Sequence, residues 1–160
     1  MNSTMDEPNV EPRRLRFERR PSPVLVEHRP LYKICQLLLV LHISSRGGKS
    51  SLPRLHLFNW ALKRTDRTQK LAEAAKAKVL HITAWGFDPA LAIAIRYAVA
   101  EGLLRPTSTG YQIAEKGQSF IDEVLKDAAV FRSERTFLKG IGKDITESMV
   151  EAVAKGWESA

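Results

Sequence analysis

Residues 88–125 constrain the fold of this 160-residue chain more than any other stretch. Asp88 followed by Pro89 predicts a helix start, because aspartate caps helices well and proline fits the first helical turn. The pattern then predicts a helix as far as Glu101, with Gly102 as the residue that ends it. Next come a short strand, a turn with a glycine, a returning strand and another helix, over 103–106, 107–110, 111–113 and from 115 onward. A hairpin between two helices predicts a mainly α domain with a small β-hairpin.

Three earlier helices complete the predicted core. Apolar residues at helical spacing predict helices over 31–44, 52–64 and 66–78, with Ser51 and Thr65 as the N-caps of the last two. The first helix is apolar nearly all round in its second half, which is typical of a central core helix. The run EGLLRPTSTGYQIAEKGQSFI resembles the wing region of winged helix-turn-helix domains. We therefore predict a mainly α fold, with a winged helix-turn-helix core and a small β-hairpin wing.

An extended N-terminal arm is predicted over residues 1–29. Its prolines at positions 8, 12, 21 and 23 are too dense for helices. Within it, Val24-Leu25-Val26 has strand character and suits pairing with a sheet edge of this chain or of a partner. The winged-helix-type domain follows over residues 30–130, and within it residues 79–85 are predicted to be a strand or an irregular segment.

A C-terminal helical extension is predicted over residues 131–160. It contains a helix near 131–138, a break at Gly140-Ile141-Gly142 and a final helix for which Asp144 and Glu147 have the spacing of a capping box. A winged-helix core does not need these residues, so we predict a packing or assembly role for them.

The positive charge of the chain is concentrated in one segment. The net charge is +7, yet residues 31–80 alone contain ten Lys or Arg and only two Asp or Glu. Such a segment either meets phosphates or an acidic protein, or is a solvated surface. The residues predicted to contact a DNA backbone, in a sequence-independent and salt-sensitive way, are Arg46, Lys49, Arg54, Lys63, Arg64, Arg67 and Lys70.

The helix before the hairpin has few groups that read DNA bases. In a winged helix this element enters the major groove, but between residues 89 and 101 only Arg96, Tyr97 and Glu101 are polar. Alanines recur every four residues, and leucine, isoleucine and valine form a second stripe. One stripe is expected to serve the core, and the other to be covered by the C-terminal helices, by a second copy of the chain or by a partner. The predicted partner-interface residues are Trp85, Phe87, Ala90, Ala94, Arg96, Tyr97 and Ala98.

No catalytic pattern is recognisable in the sequence. The single cysteine, Cys35, excludes a disulfide framework and lies on an apolar helix stripe. The loop 45–50 ends like a phosphate-binding loop, but it follows a helix and lacks the first glycine. The four histidines are scattered, so we predict no enzyme activity, no cofactor and no metal site. No apolar run is long enough for a signal or a membrane span, and we predict a cytoplasmic location without membrane contact.

Three stretches carry a resemblance to a known family. They are RPLYKICQLLLVLHISSRGGKSSLPRLHLFNWALK, AWGFDPALAIAIRYAVAEGLL and YQIAEKGQSFI, and the resemblance extends over roughly residues 29–157. Its recognisable pieces are Arg46-Gly47-Gly48-Lys49, Phe58-Asn59-Trp60 and Trp85-Gly86-Phe87-Asp88-Pro89. The chain resembles the middle component of bacterial ABC-type three-component systems, which overlap with the Lamassu anti-phage defence systems.

The resemblance implies a small accessory subunit without an active site. Its partners would be an SMC-like ATPase and an effector, often a nuclease, in a complex that senses invading DNA. We therefore predict a non-enzymatic assembly subunit of a defence complex, with possible sequence-independent contacts to double-stranded DNA. The alternative is a stand-alone winged-helix transcription regulator, and a third alternative is an enzyme.

Overall fold

The computed structural model describes residues 29–158, which contain seven α-helices and one three-stranded antiparallel sheet. The helices are α1 (Pro30–Ser44), α2 (Leu52–Leu62), α3 (Thr65–Ala77), α4 (Pro89–Ala100), α5 (Glu115–Leu125), α6 (Arg132–Ile141) and α7 (Glu147–Glu158). The strands are β1 (Lys49–Ser51), β2 (Leu104–Pro106) and β3 (Gly110–Ile113). The prediction of a mainly helical protein with a small β element is confirmed. The predicted arm, including Val24-Leu25-Val26, lies outside the described residues apart from Arg29.

Helix α1 is the centre of the core. Leu38, Leu39 and Leu41 have no exposed side-chain surface, and α1 packs against α2, α4, α5 and α6. A helix that is apolar nearly all round has to be covered on every side, which explains why four helices surround it. Cys35 is buried here, and this burial raises the pKa of its thiol. The thiol therefore has the character of a core residue.

The hairpin is attached to the chain segment after α1 by a third strand, β1, which the sequence analysis did not predict. The sheet order is β1-β3-β2, with Ser50 opposite Tyr111 and Arg105 opposite Gln112. A three-residue polar strand has no alternating pattern to reveal it. Gly110 permits the close approach of β1, since a Cβ atom there would lie 2.0 Å from the carbonyl oxygen of Ser50.

Two predicted helix caps are confirmed and two are wrong. Ser51 caps α2 and Asp88 caps α4, each by accepting a hydrogen bond from a backbone N–H two or three residues later. Thr65 is the first residue of α3 and not its N-cap. The predicted capping box before α7 does not form, because Thr146 caps that helix and Glu147 accepts a hydrogen bond from the Ser51 backbone N–H.

The C-terminal helices belong to the same core as the rest. Helix α6 packs against α1 and α3, and α7 packs against α2. Buried apolar side chains from this region include Leu138, Ile145 and Val150. Helix α6 continues through Gly140 and ends at Ile141. The next residue, Gly142, has a positive φ, so of the predicted break over 140–142 only Gly142 interrupts the helix.

Residues 79–88, between α3 and α4, form neither a helix, a strand, a turn nor a bend. Of the two alternatives that the sequence left open for 79–85, the structure shows the irregular one. No helix between residues 29 and 158 is long and apolar enough to cross a membrane.

Candidate protein and nucleic-acid contact surfaces

Helix α4 directs two of its alanines into the core. Ala94 and Ala98 are completely buried and share one face of the helix with Leu91 and Ile95, toward α1. Trp85 is buried as well, and its indole N–H donates to the carbonyl of a residue in α2. The prediction of these three residues as partner contacts is therefore wrong. The alanines allow two helices of one chain to approach each other closely, and a partner does not reach them.

The opposite side of α4 is exposed and mostly apolar. Ile93 and Tyr97 are 48% and 55% exposed, and Arg96 lies exposed between them. We call these three residues the α4 outer face. Arg96 and Tyr97 are among the predicted partner contacts. Ile93 was not predicted, because in a helix that is almost entirely apolar the sequence does not distinguish exposed from buried residues. Ala90 is only partly exposed.

Phe87 is a further exposed aromatic residue in front of α4. Its ring lies 5.0 Å from the ring of His56, measured between centroids. His56 is buried, and its Nδ1 accepts a hydrogen bond from the backbone N–H of Asp88, so the neutral ring carries its proton on Nε2. Burial lowers the pKa of His56, the charge of Asp88 opposes this shift, and the charge of Lys63 adds to it. The Nε2 atom has no hydrogen-bond partner among the described residues.

Arg54 was predicted to contact a DNA backbone, and the structure corrects this. Its side chain is only 3% exposed. The guanidinium group donates to the carbonyl oxygens of Ser44 and Ile145 and to the hydroxyls of Ser45 and Ser50, and it lies 4.7 Å from the ring centre of Phe58; the bond to Ile145 is 2.8 Å long.

The environment of Arg54 explains its role. Burial lowers the pKa of Arg54 to about 10, although the charge of Glu147 opposes the shift. A guanidinium of this kind holds the end of α1, strand β1 and the segment before α7 together. Arg54 is therefore a buried structural cation, and its guanidinium group is not available to contact a phosphate.

The six other basic candidates form two groups at opposite ends of α2. Arg46 and Lys49 precede the helix and line a cavity of about 790 Å³, together with Lys143 and the turn of the hairpin. We call this pair the loop group. The α3 group follows the helix and contains Lys63, Arg64, Arg67 and Lys70. Because α2 has 11 residues, its length of about 16 Å separates the two groups.

Most cations of the α3 group have partners within the chain. Lys63 pairs with Asp88 at 3.0 Å and Arg64 with Asp66 at 2.9 Å. Arg67 donates to the carbonyl of Trp60 and lies 4.8 Å from the centre of one of its rings. Exposed ion pairs are weak, so a phosphate can compete for the Arg64 side chain. Lys70 is exposed.

A buried polar network connects α1, α2 and the start of α4. The Lys33 ammonium donates to the Asn59 side chain at 2.6 Å and lies 3.6 Å from the Asp88 carboxylate. Burial alone raises the pKa of Asp88, but hydrogen bonds from Asn59, Lys63 and the Ala90 backbone N–H, together with the charge of Lys63, hold it well below its usual range. The sequence analysis missed this network. The one signal was a lysine on a helix face that is otherwise apolar, and its acidic partner is 55 residues away.

Within residues 29–158, no group of three or more His, Cys, Asp or Glu side chains is placed to hold a metal ion. Comparison of the chain with protein-family models, curated proteins and solved structures finds no match.

Proposed function

We propose that this protein is a non-enzymatic accessory subunit of a DNA-sensing anti-phage defence complex, which binds an SMC-like ATPase, an effector nuclease, or both. The observation that carries the proposal is the α4 outer face, where Ile93 and Tyr97 are about half exposed on a helix with almost no charge. Water-exposed apolar residues on a helix favour contact with another protein. The identity of the partners rests on the family resemblance.

The order of elements supports a winged-helix-type core with the β2–β3 hairpin as its wing. Helix α4 directly precedes the hairpin, and β1 extends the sheet on the far side of β3. In DNA-reading domains of this type the helix at the position of α4 presents hydrogen-bonding side chains to base edges. Here that helix presents Ile93, Arg96 and Tyr97, which favours a protein contact.

Direct but sequence-independent contact with DNA is a secondary part of this proposal. The loop group and the α3 group are basic, and neither belongs to the helix that would read bases. Lysine and arginine outside the grooves contact phosphates and contribute affinity without sequence preference.

The test is a pull-down of the tagged full chain, expressed with its neighbouring genes and analysed by mass spectrometry. We expect an SMC-like ATPase to be recovered, and we expect Tyr97→Glu or Ile93→Asp to reduce that recovery at least about tenfold, because each places a charge in an apolar contact. Lys139→Glu, an exposed charge reversal on α6, is the matched control and should leave recovery unchanged. Substitutions at Ala94 or Ala98 are unsuitable, because they would disrupt the core.

Recovery of the chain alone, or only as a self-dimer, would contradict the proposal and favour a stand-alone winged-helix transcription regulator. The basic segment is the observation that favours this second candidate. It predicts a sequence-specific footprint of the purified protein on its own promoter, and a footprint that is absent or identical on random DNA would exclude it.

A further inference from the structure

The connection between α3 and α4 is unusual because it is long, irregular and unpaired. Residues 79–88 run for ten residues without a turn, bend or strand partner. None of the backbone N–H groups of residues 79–84 donates a hydrogen bond within the described part of the chain, and of their carbonyls Thr83 accepts one, from the Trp157 indole. Such a segment has the free backbone groups of a sheet edge.

The segment is nevertheless held firmly at both ends. The side chains of Leu80 and Trp85 are buried in the core, and Trp157 of α7 packs edge-on against Trp85 with ring centroids 4.6 Å apart. Its composition, Val79-Leu80-His81-Ile82-Thr83, is rich in residues that favour strands. The free backbone groups therefore belong to a segment that is already positioned for pairing.

A groove of about 660 Å³ lies beside this segment. Apolar side chains from both sides line it, namely Trp60, Ala74, Ala77, Val79 and Ile82. Val79 is 49% exposed, so part of this apolar surface is open to water. A strand laid along residues 79–84 would place alternate side chains toward such a groove.

The charges around the groove indicate which kind of strand fits. Lys70 and Glu73 both line the groove, and outside it Lys76 and Lys78 are exposed just before the segment begins. Residues 63–81 contain six Lys or Arg and two Asp or Glu. A ligand with acidic side chains is therefore complementary to this surface.

We propose that residues 79–84 form a docking site for an extended segment of a partner protein, which adds to the chain as a β-strand. Its apolar side chains enter the groove, and its acidic side chains lie near Lys70 and Lys78. Backbone hydrogen bonds supply affinity in this mode of binding, and the groove and the charges supply specificity. This inference does not rest on the proposed function: Lys70 is shared with the α3 group, but the docking site does not involve the α4 outer face, and its test uses a peptide without DNA.

The probe is a fluorescein-labelled synthetic peptide in which valine alternates with glutamate or threonine. Its binding to the full chain is measured by fluorescence anisotropy, and its position by hydrogen exchange of the amides of residues 79–84. We expect the peptide to bind and alternate amides of residues 79–84, those that face the added strand, to gain protection. A peptide with lysine in place of glutamate should bind the unchanged protein at least about fivefold more weakly. The glutamate peptide should lose a similar factor in affinity for the Lys70→Glu variant.

Proline substitutions test the backbone pairing itself. Because neighbouring N–H groups in a strand point in opposite directions, only one of Thr83 and Ala84 directs its N–H toward the added strand. We expect one of Thr83→Pro and Ala84→Pro to weaken binding about fivefold, the other to have less effect, and Thr83→Ala to have none. Lys139→Glu is the control for Lys70→Glu.

Three outcomes would overturn the proposal. One is a lack of peptide binding, or protection that appears elsewhere in the chain. Another is equal affinity for both proline variants and the unchanged protein. In the third, residues 79–84 are already protected in the free chain and lose this protection on Leu25→Asp, which would identify the chain's own residues 24–26 as the occupant.

Discussion

At the scale of single residues, two cations, Lys33 and Arg54, are buried within residues 29–158, and each donates hydrogen bonds to oxygen atoms from other elements. Lys33 connects α1 to α2 and to the start of α4, whereas Arg54 connects α1, β1 and the segment before α7. A buried charge is tolerated only where hydrogen bonds replace its hydration, so both side chains restrict how the helices can be arranged. The fold thus places part of its positive charge out of reach of any phosphate.

Removal of the Arg54 side chain should destabilise the fold. Arg54→Ala leaves the buried carbonyl oxygens of Ser44 and Ile145 without their donors, and we expect a loss of about 3 kcal/mol in the free energy of unfolding, measured by urea denaturation. The neighbouring Arg46 is exposed, and Arg46→Ala should change this free energy by less than about 0.5 kcal/mol. Equal effects of the two substitutions would show that Arg54 is not a structural cation.

At the scale of elements, helices were predictable where apolar periodicity and caps coincide. For α4 the cap at Asp88 and the stop near Gly102 are visible in the sequence, but the identity of its inner face is not, because almost every residue of the helix is apolar. The choice depends on the packing of α4 against α1, which buries the face that carries Ala94 and Ala98. Strand β1 was missed because its partner β3 lies about 60 residues later, and only that pairing makes it a strand.

Two glycines provide opposite tests of this element structure. Gly110→Ala would place a methyl group against the β1 backbone, so we expect it to separate β1 from β3 and to cost about 2–4 kcal/mol of unfolding free energy. Gly140 lies within α6 with open space around its Cα, and Gly140→Ala should stabilise by about 0.5–1 kcal/mol because alanine favours helices. Thermal unfolding of both variants measures this, and a tolerated Gly110→Ala would contradict the close approach of the strands.

At the scale of the whole molecule, the surfaces for different ligands are distinct except at Lys70. The α4 outer face and the loop group share no residue with the groove beside residues 79–84, whereas Lys70 belongs both to the α3 group and to the lining of that groove. A strand in the groove and a phosphate at the α3 group would therefore compete for Lys70. The concentration of positive charge in residues 31–80 is visible in the sequence. The sequence does not show that α2 separates these cations into two groups, or that the Arg54 side chain is buried. That division depends on the orientation of one helix, which no local pattern encodes.

The separation of the basic groups leads to a prediction about DNA binding. The helix length of about 16 Å corresponds to roughly five base pairs along a duplex, so contact of both groups with one DNA molecule requires only a short stretch of duplex. We therefore expect binding of the full chain to random duplex DNA to weaken with salt, and each of two double variants to reduce the slope of log affinity against log salt by about two. These variants are Arg46→Ser with Lys49→Ser, and Arg67→Ser with Lys70→Ser.

The control removes the same charge elsewhere. Arg132→Ser with Lys139→Ser, both exposed on α6, should leave the slope unchanged if contacts and not net charge determine it. Equal slopes for all three double variants would mean that binding follows the overall charge of +7, and a change confined to one variant would mean that one end of α2 alone meets DNA. A strong dependence of affinity on base sequence would contradict phosphate contact altogether, because phosphates are the same in every sequence.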